Sequence, residues 1–135
     1  MSASISLTLA TGEDTAKLID AIEAFVTAHK LDARPAYALE LVLDELVTNI
    51  IDHGAGPAGA TIGIDVVCDG HFVRGSVRDD AAPFDPLRRA PVDTTGPLEE
   101  RQIGGLGVHL VRKMTNSLAY AREADENVIT FTIEL

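Results

Sequence analysis

The sequence predicts an α+β fold, a two-layer α/β sandwich in which helices pack on a mainly antiparallel sheet. Three observations favour it. Apolar residues alternate with polar ones over residues 4–10, as in a half-buried strand, and recur at helical spacing over residues 13–30. The later chain predicts a β-hairpin, a helix and two closing strands. A chain of 135 residues with 46% hydrophobic content suits one compact domain, so we expect a single domain over residues 1–135.

The first half of the chain predicts one strand and two helices. Thr11-Gly12 ends the strand, and the first helix follows over residues 13–30. Arg34-Pro35 suits a helix start, so the second helix should run from residue 35 to residue 53 with Gly54 as its C-cap. At about 100° per residue, one face of this helix is apolar. Its members are Leu39, Val42, Leu43, Leu46 and Ile50.

The second half predicts four strands and one helix. Residues 60–68 and 71–78 form a hairpin joined at Asp69-Gly70, a dipeptide that favours a tight turn. Residues 80–105 contain several prolines and little periodicity, and a loop of this length in a small domain is usually functional. The chain then returns to a helix, followed by two strands. These three elements are predicted at residues 106–116, 117–123 and 128–135.

Composition excludes several classes of protein. The chain has 11 basic and 21 acidic residues and a net charge of -10, so it lacks a basic stripe and we expect no nucleic-acid partner. No stretch approaches the roughly 20 apolar residues of a membrane span, and the N-terminus does not look like a signal peptide. With Cys68 as the single cysteine, no disulfide can form within the chain. We therefore expect a cytoplasmic protein without membrane association.

The segment DELVTNIIDHG, residues 44–54, places polar side chains beside the core. Glu45 and Asn49 are four residues apart, so they stack on one side of the second helix, at the margin of its apolar face. A carboxylate and an amide at that margin cost free energy unless they are paired. Either the protein itself satisfies them or a ligand does.

Two further segments offer binding chemistry. In VRDDAAPFDP, residues 77–86, a strand ends in paired carboxylates, and Asp79 could accept a hydrogen bond from an exocyclic amine or simply belong to a solvated turn. In IGGLGVHLVRKM, residues 103–114, three glycines precede an amphipathic helix whose first amides could attract phosphate oxygens. The alternative for these glycines is a flexible hinge. Neither segment alone is enough to identify a binding site.

Taken in this order, the three segments resemble the Bergerat-fold (GHKL, histidine kinase-like) ATPase superfamily. Within it, the chain is most similar to the RsbW-like anti-sigma factor serine-protein kinases, over nearly its whole length. The resemblance implies one ATP-binding kinase-like domain, with the helices on one face of the sheet. It also implies ATP and Mg²⁺ as cofactors.

The resemblance implies a role for each matching residue. Glu45 would be the acid or base near the attacking group, and Asn49 would supply the side-chain oxygen ligand of Mg²⁺. Asp79 would bind adenine. Pro83 and Phe84 would wall its pocket, Gly104, Gly105 and Gly107 would lie against the phosphates, and Arg101 would meet the terminal phosphate from a lid.

One position departs from the family. Ala81 stands where most relatives have a glycine that packs beside the base. The added methyl group, or a changed backbone angle, would weaken nucleotide binding.

The implied function is a serine/threonine protein kinase that transfers the γ-phosphoryl group of ATP to a STAS-type anti-anti-sigma partner, with a sigma factor as a further candidate partner. The alternative, motivated by Ala81, is a nucleotide-gated protein-binding module with little or no catalysis. The catalytic half of a phosphorelay kinase ranks lower, because the chain lacks a dimerisation helix pair with a phospho-accepting histidine. Relatives often dimerise, and the edge strand at residues 4–10 is a candidate homodimer contact.

Overall fold

The computed structural model describes residues 4–12, 15–56, 59–88 and 103–135. In this part of the chain, five strands form one antiparallel sheet and three α-helices pack against it, which confirms the predicted α+β class. The elements are β1 (Ile5–Ala10), α1 (Ala16–His29), α2 (Ala33–Asn49), β2 (Thr61–Cys68), β3 (Phe72–Asp79), α3 (Ile103–Met114), β4 (Ser117–Glu123) and β5 (Glu126–Glu134).

The core lies between one face of the sheet and the helices. The strand order is β1-β2-β3-β5-β4, and each neighbouring pair is antiparallel. Alternate strand residues such as Ile64, Val77 and Phe131 are buried in one cluster with the predicted apolar face of α2. The opposite face carries polar residues together with the half-exposed Val67, and there Arg78 and Asp65 form a partly exposed ion pair of 2.7 Å. The helices therefore cover one face only, as predicted.

The β2–β3 hairpin turns at the predicted dipeptide. Gly70 has a φ of +91°, a conformation that glycine adopts without strain. The Asp69 carboxylate accepts hydrogen bonds from the backbone N–H groups of His71 and Phe72 and from Arg74. The bond from Arg74, followed by the two backbone bonds, holds the pKa of Asp69 well below its usual range. Asp69 therefore stabilises this turn and, through it, the register of β2 and β3.

The end of the second helix differs from the prediction. After Asn49 the chain continues through a π-helical turn, Ile50–Gly54, in which the Ala55 N–H donates to the Ile50 carbonyl oxygen at 2.7 Å. Gly54 does not adopt the left-handed conformation, so its prediction as a C-cap is wrong. A Cβ atom at Gly54 would lie 3.3 Å from Cδ1 of Phe84. Close packing against an aromatic ring, and not a backbone requirement, therefore explains this glycine.

The third helix also begins earlier than predicted. It starts at Ile103, so its three glycines lie inside the helix and do not precede it. Each helical glycine costs about 1 kcal/mol relative to alanine, a penalty that burial of Val108 and Val111 against the rest of the protein outweighs. No helix in the described residues is both long enough and apolar enough to cross a membrane.

Gly75 should be essential for packing in the sheet. It pairs with Phe131, and an added Cβ atom would lie 2.6 Å from Cε1 and 2.9 Å from Cε2 of that ring. The ring is 2% exposed, so it has little room to move. We expect Gly75→Ala to lower the free energy of unfolding by about 1–3 kcal/mol in denaturant titrations. The loss should shrink in a Phe131→Leu background, and an equal loss there would contradict this explanation.

Candidate functional site

The first and third motifs meet at Glu45 and Gly107. Glu45 is half-buried on α2, and Gly107 lies on the facing side of α3. A Cβ atom at position 107 would lie 2.9 Å from Cδ of Glu45 and closer still to Oε2. The missing side chain at Gly107 thus creates the space that the Glu45 carboxylate occupies.

The surroundings of Glu45 change its acidity. Burial, which removes water from the carboxylate, raises the pKa of Glu45, and the negative charge of Asp44 raises it further. Asp44 itself is exposed. A carboxylate with a raised pKa is a stronger base when ionised, which is the property that proton abstraction from a hydroxyl requires.

Asn49 lies one helical turn beyond Glu45, at the end of α2. Its side chain is 6% exposed, and the buried Nδ2 atom has no hydrogen-bond partner among the described residues. Leaving such a group unpaired costs about 1–3 kcal/mol. A half-turn of the terminal amide exchanges its nitrogen and oxygen, so the same place can present either atom to a ligand. The unpaired amide therefore favours the ligand interpretation of the first motif.

The residues around Asn49 fit a magnesium ion held mainly by a ligand. In the described residues, no group of three or more His, Cys, Asp or Glu side chains could bind a metal ion by itself. Mg²⁺ takes six oxygen ligands and usually keeps several waters beside substrate phosphates. One amide oxygen from Asn49 is compatible with that arrangement.

Asp79, the last residue of β3, is fixed by the register of the sheet. It is 5% exposed and pairs across the strands with Asn127 of β5, which is 3% exposed. Oδ1 of Asp79 accepts hydrogen bonds from Nδ2 of Asn127 at 2.9 Å and from the Ala81 N–H at 3.0 Å. Within the described residues both bonds go to Oδ1, which leaves Oδ2 for a donor from a ligand.

The turn after Asp79 accommodates Ala81 without backbone strain. Ala81 is buried, and its φ lies outside the left-handed region that would demand glycine. Its carbonyl oxygen accepts a hydrogen bond from Arg122 at 2.7 Å. Ala81 itself is therefore unstrained, and the effect of its methyl group on nucleotide binding stays a prediction.

Phe84 joins the second motif to the first. Its half-buried ring packs against Gly54, at the end of the π-helical turn. Its N–H donates to Oδ1 of Asn127 at 3.1 Å, whereas Pro83 is exposed. The contacts of Gly54 and Gly107 together bring all three motifs to one region of the molecule.

Three predicted residues remain, two glycines in α3 and one arginine that precedes it in the sequence. Gly104 and Gly105 are in its first turn. The first four N–H groups of a helix lack intrahelical acceptors, so these amides are suited to binding an anion. Arg101 falls outside the described residues.

Sequence reasoning missed Asn127. The prediction starts the last strand at residue 128, which excludes it, whereas β5 begins at Glu126. The inward-facing residues Ile129, Phe131 and Ile133 alternate along this strand, and the same alternation reaches back to Asn127. A polar residue in phase with a buried apolar row was therefore the signal available in the sequence.

Comparisons with known proteins identify a family and a similar fold. The model of the histidine kinase-like ATPase domain family matches residues 8–133. The serine/threonine-protein kinase BtrW of Bordetella bronchiseptica is 28% identical over 112 residues, which are 82% of this chain and 79% of BtrW. The crystal structure of the RsbU and RsbW domains of Rv1364c from Mycobacterium tuberculosis has a similar fold, with a TM-score of 0.63 and 18% identity over 98% of this chain. The chain spans about a third, 32%, of that structure.

Proposed function

The chain belongs to the histidine kinase-like ATPase domain family, and on this premise we propose that it is an ATP-dependent serine/threonine protein kinase of the anti-sigma factor type. The observation that carries the proposal is the position of Glu45. A half-buried carboxylate with a raised pKa lies against Gly107, one helical turn from the unpaired buried amide of Asn49. The kinase name of the relative BtrW supports the same class of reaction.

Each of the three motifs would bind one part of the nucleotide. Oδ2 of Asp79 would accept a hydrogen bond from the exocyclic amine of adenine, with Pro83 and Phe84 beside the base. The first-turn amides of α3, including those of Gly104 and Gly105, would bind phosphate oxygens. Arg101 would neutralise charge at the terminal phosphate.

The reaction would transfer the γ-phosphoryl group to a serine or threonine hydroxyl. Glu45 would accept the hydroxyl proton while a bond forms between the hydroxyl oxygen and the γ-phosphorus, and the bond from that phosphorus to the bridging oxygen of ADP breaks. Asn49 would hold Mg²⁺, which when bound neutralises phosphate charge. The hydroxyl would come from a STAS-type anti-anti-sigma protein, and a sigma factor would be the second partner.

Asn49→Ala tests the nucleotide site directly. Calorimetric titration of the wild type with ATP should show binding that strengthens with Mg²⁺. The variant should lose this dependence and bind Mg-ATP about tenfold more weakly or worse, since a factor of ten corresponds to 1.4 kcal/mol. Asn116→Ala, which removes an exposed amide elsewhere, should bind like the wild type. A wild type that binds no nucleotide would overturn the proposal and leave a partner-binding scaffold.

The alternative function would look different in the same experiments. A nucleotide-gated module would bind ATP and co-purify with its partner, but labelled phosphate from ATP would never reach a STAS-type protein. Its partner binding would also be unchanged by Glu45→Ala.

A further inference from the structure

The side-chain amide of Asn127 uses its whole hydrogen-bonding capacity. Oδ1 accepts from the hydroxyl group of Tyr120 and from the Phe84 N–H at 3.1 Å. Nδ2 donates to Oδ1 of Asp79 and to the Ala82 carbonyl oxygen, both at 2.9 Å. An amide has two donors and two acceptor positions, so none remains for a ligand. The four bonds also fix which end of the amide faces Asp79.

These bonds link the site to the C-terminal hairpin. Asn127 pairs across the strands with Asp79 on one side and with Arg122 of β4 on the other. Arg122 donates to the Ala81 carbonyl oxygen, so β4 and β5 together hold the turn that follows Asp79. This turn contains the residues that would wall the adenine pocket.

We propose that Asn127 is a positioning residue for nucleotide recognition, acting through Asp79. This inference rests on the proposed ATP site and deepens it. Asn127 occupies one oxygen of Asp79 and anchors the turn at Ala82 and Phe84, so that Oδ2 is presented to the 6-amino group of a purine. When Asn127 is removed, the ligand itself must order Asp79 and the turn. The free-energy cost of that ordering reduces affinity.

The proposal predicts that Asn127 affects one hydrogen bond to the base, the one to the 6-amino group. Only the hydrogen bond to the 6-amino group depends on the orientation of Asp79. The affinity ratio between ATP and purine riboside triphosphate, which lacks that amine, therefore reports on this bond alone. A hydrogen bond to a charged group contributes about 1.5–3 kcal/mol, which corresponds to a ratio of about 12 to 140 in the wild type.

Asn127→Ala tests the proposal by titration with both nucleotides. We expect the ratio to fall to within about threefold, as it should in Asp79→Ala, because the same hydrogen bond is lost. Tyr120→Phe removes one of the four bonds to Asn127 and should lower the ratio by a smaller factor. Asn116→Ala, which removes another amide before the same hairpin, should leave the ratio unchanged. Should Asn127→Ala not fold, Asn127→Leu decides, since it fills the space of the amide and adds no charge beside Asp79 but removes the donor to Oδ1 of Asp79.

The outcomes separate this inference from the proposed function. Equal weakening of both nucleotides, with the ratio preserved, would mean that Asn127 has only a structural role and would overturn the inference alone. A wild type that binds neither nucleotide would overturn the proposed function and this inference with it. A collapsed ratio in a variant whose binding still responds to Mg²⁺ would support both.

Discussion

Glu45→Gln should slow phosphoryl transfer severely and leave ATP binding intact. Glutamine keeps the shape of glutamate but cannot accept a proton from the attacking hydroxyl, and general base catalysis contributes about 10²–10⁴-fold in rate. We expect a loss of this size in the transfer of labelled phosphate from ATP to a STAS-type protein. The dissociation constant of Mg-ATP, measured by calorimetry, should change by less than about threefold. Transfer at the wild-type rate would exclude Glu45 as the base.

The neighbouring Asp44 provides the matched control. Burial and the charge of Asp44 raise the pKa of Glu45, so wild-type transfer should decline as the pH falls through this raised pKa. Asp44→Asn removes one of the two causes and should move the decline to lower pH while keeping the plateau rate. An unchanged profile would mean that another group limits the reaction.

As the pH rises, the free energy of unfolding should change in the opposite direction from the rate of transfer. Because the pKa of Glu45 is raised in the folded protein, the folded state binds more protons than the unfolded state in the window between the two pKa values. This contribution to the free energy of unfolding therefore declines as the pH rises through that window. Glu45→Gln removes the ionised form, so the variant should be more stable than the wild type above the window. Such a loss of stability is what is expected of a carboxylate placed for catalysis.

Much of the fold could be predicted from local patterns. The apolar face of α2 and the alternating strands specify which surfaces are buried, and these periodicities do not depend on distant residues. The two wrong predictions, the C-cap at Gly54 and the start of α3, concern helix ends that local patterns did not locate. Gly54 has the sequence position of a C-cap, but it does not adopt the left-handed conformation and packs against Phe84, thirty positions later. The glycines of the third motif resemble a loop, but the helix begins at Ile103 and runs through them.

The candidate site was predicted in the same uneven way. Glu45, Asn49 and Asp79 stood out as polar groups at a core margin or after a strand, and the family resemblance supplied the roles that the residues alone left open. The proximity of Glu45 to Gly107 could not be predicted from the sequence, because sixty-two positions separate them and only the packing of α2 on α3 brings them together. Asn127 was missed because its importance depends on strand register, which places it opposite Asp79.

Gly107→Ala should impair phosphoryl transfer almost as severely as removal of Glu45. The new methyl group would occupy the place of the Glu45 carboxylate, and a flexible side chain yields more easily than a helix backbone. The carboxylate should therefore move away, and transfer should fall by about 100-fold or more. The fold should survive, because alanine is favoured over glycine in a helix by about 1 kcal/mol, which offsets part of the cost of displacement. Circular dichroism and denaturant unfolding would check the fold, and labelled phosphate would measure transfer.

The double variant Glu45→Ala/Gly107→Ala distinguishes this mechanism from direct phosphate contact. If Gly107 acts through Glu45, the second substitution should cause no further loss of transfer, because residues that act as a unit are not additive. With the carboxylate gone, the same substitution should also stabilise the protein by up to about 1 kcal/mol relative to Glu45→Ala. If Gly107 instead lies against the phosphates, as the family resemblance implies, Gly107→Ala should weaken Mg-ATP binding equally in both backgrounds. Transfer assays and calorimetry on the wild type, the two single variants and the double variant therefore decide whether Gly107 makes room for the base or for the nucleotide.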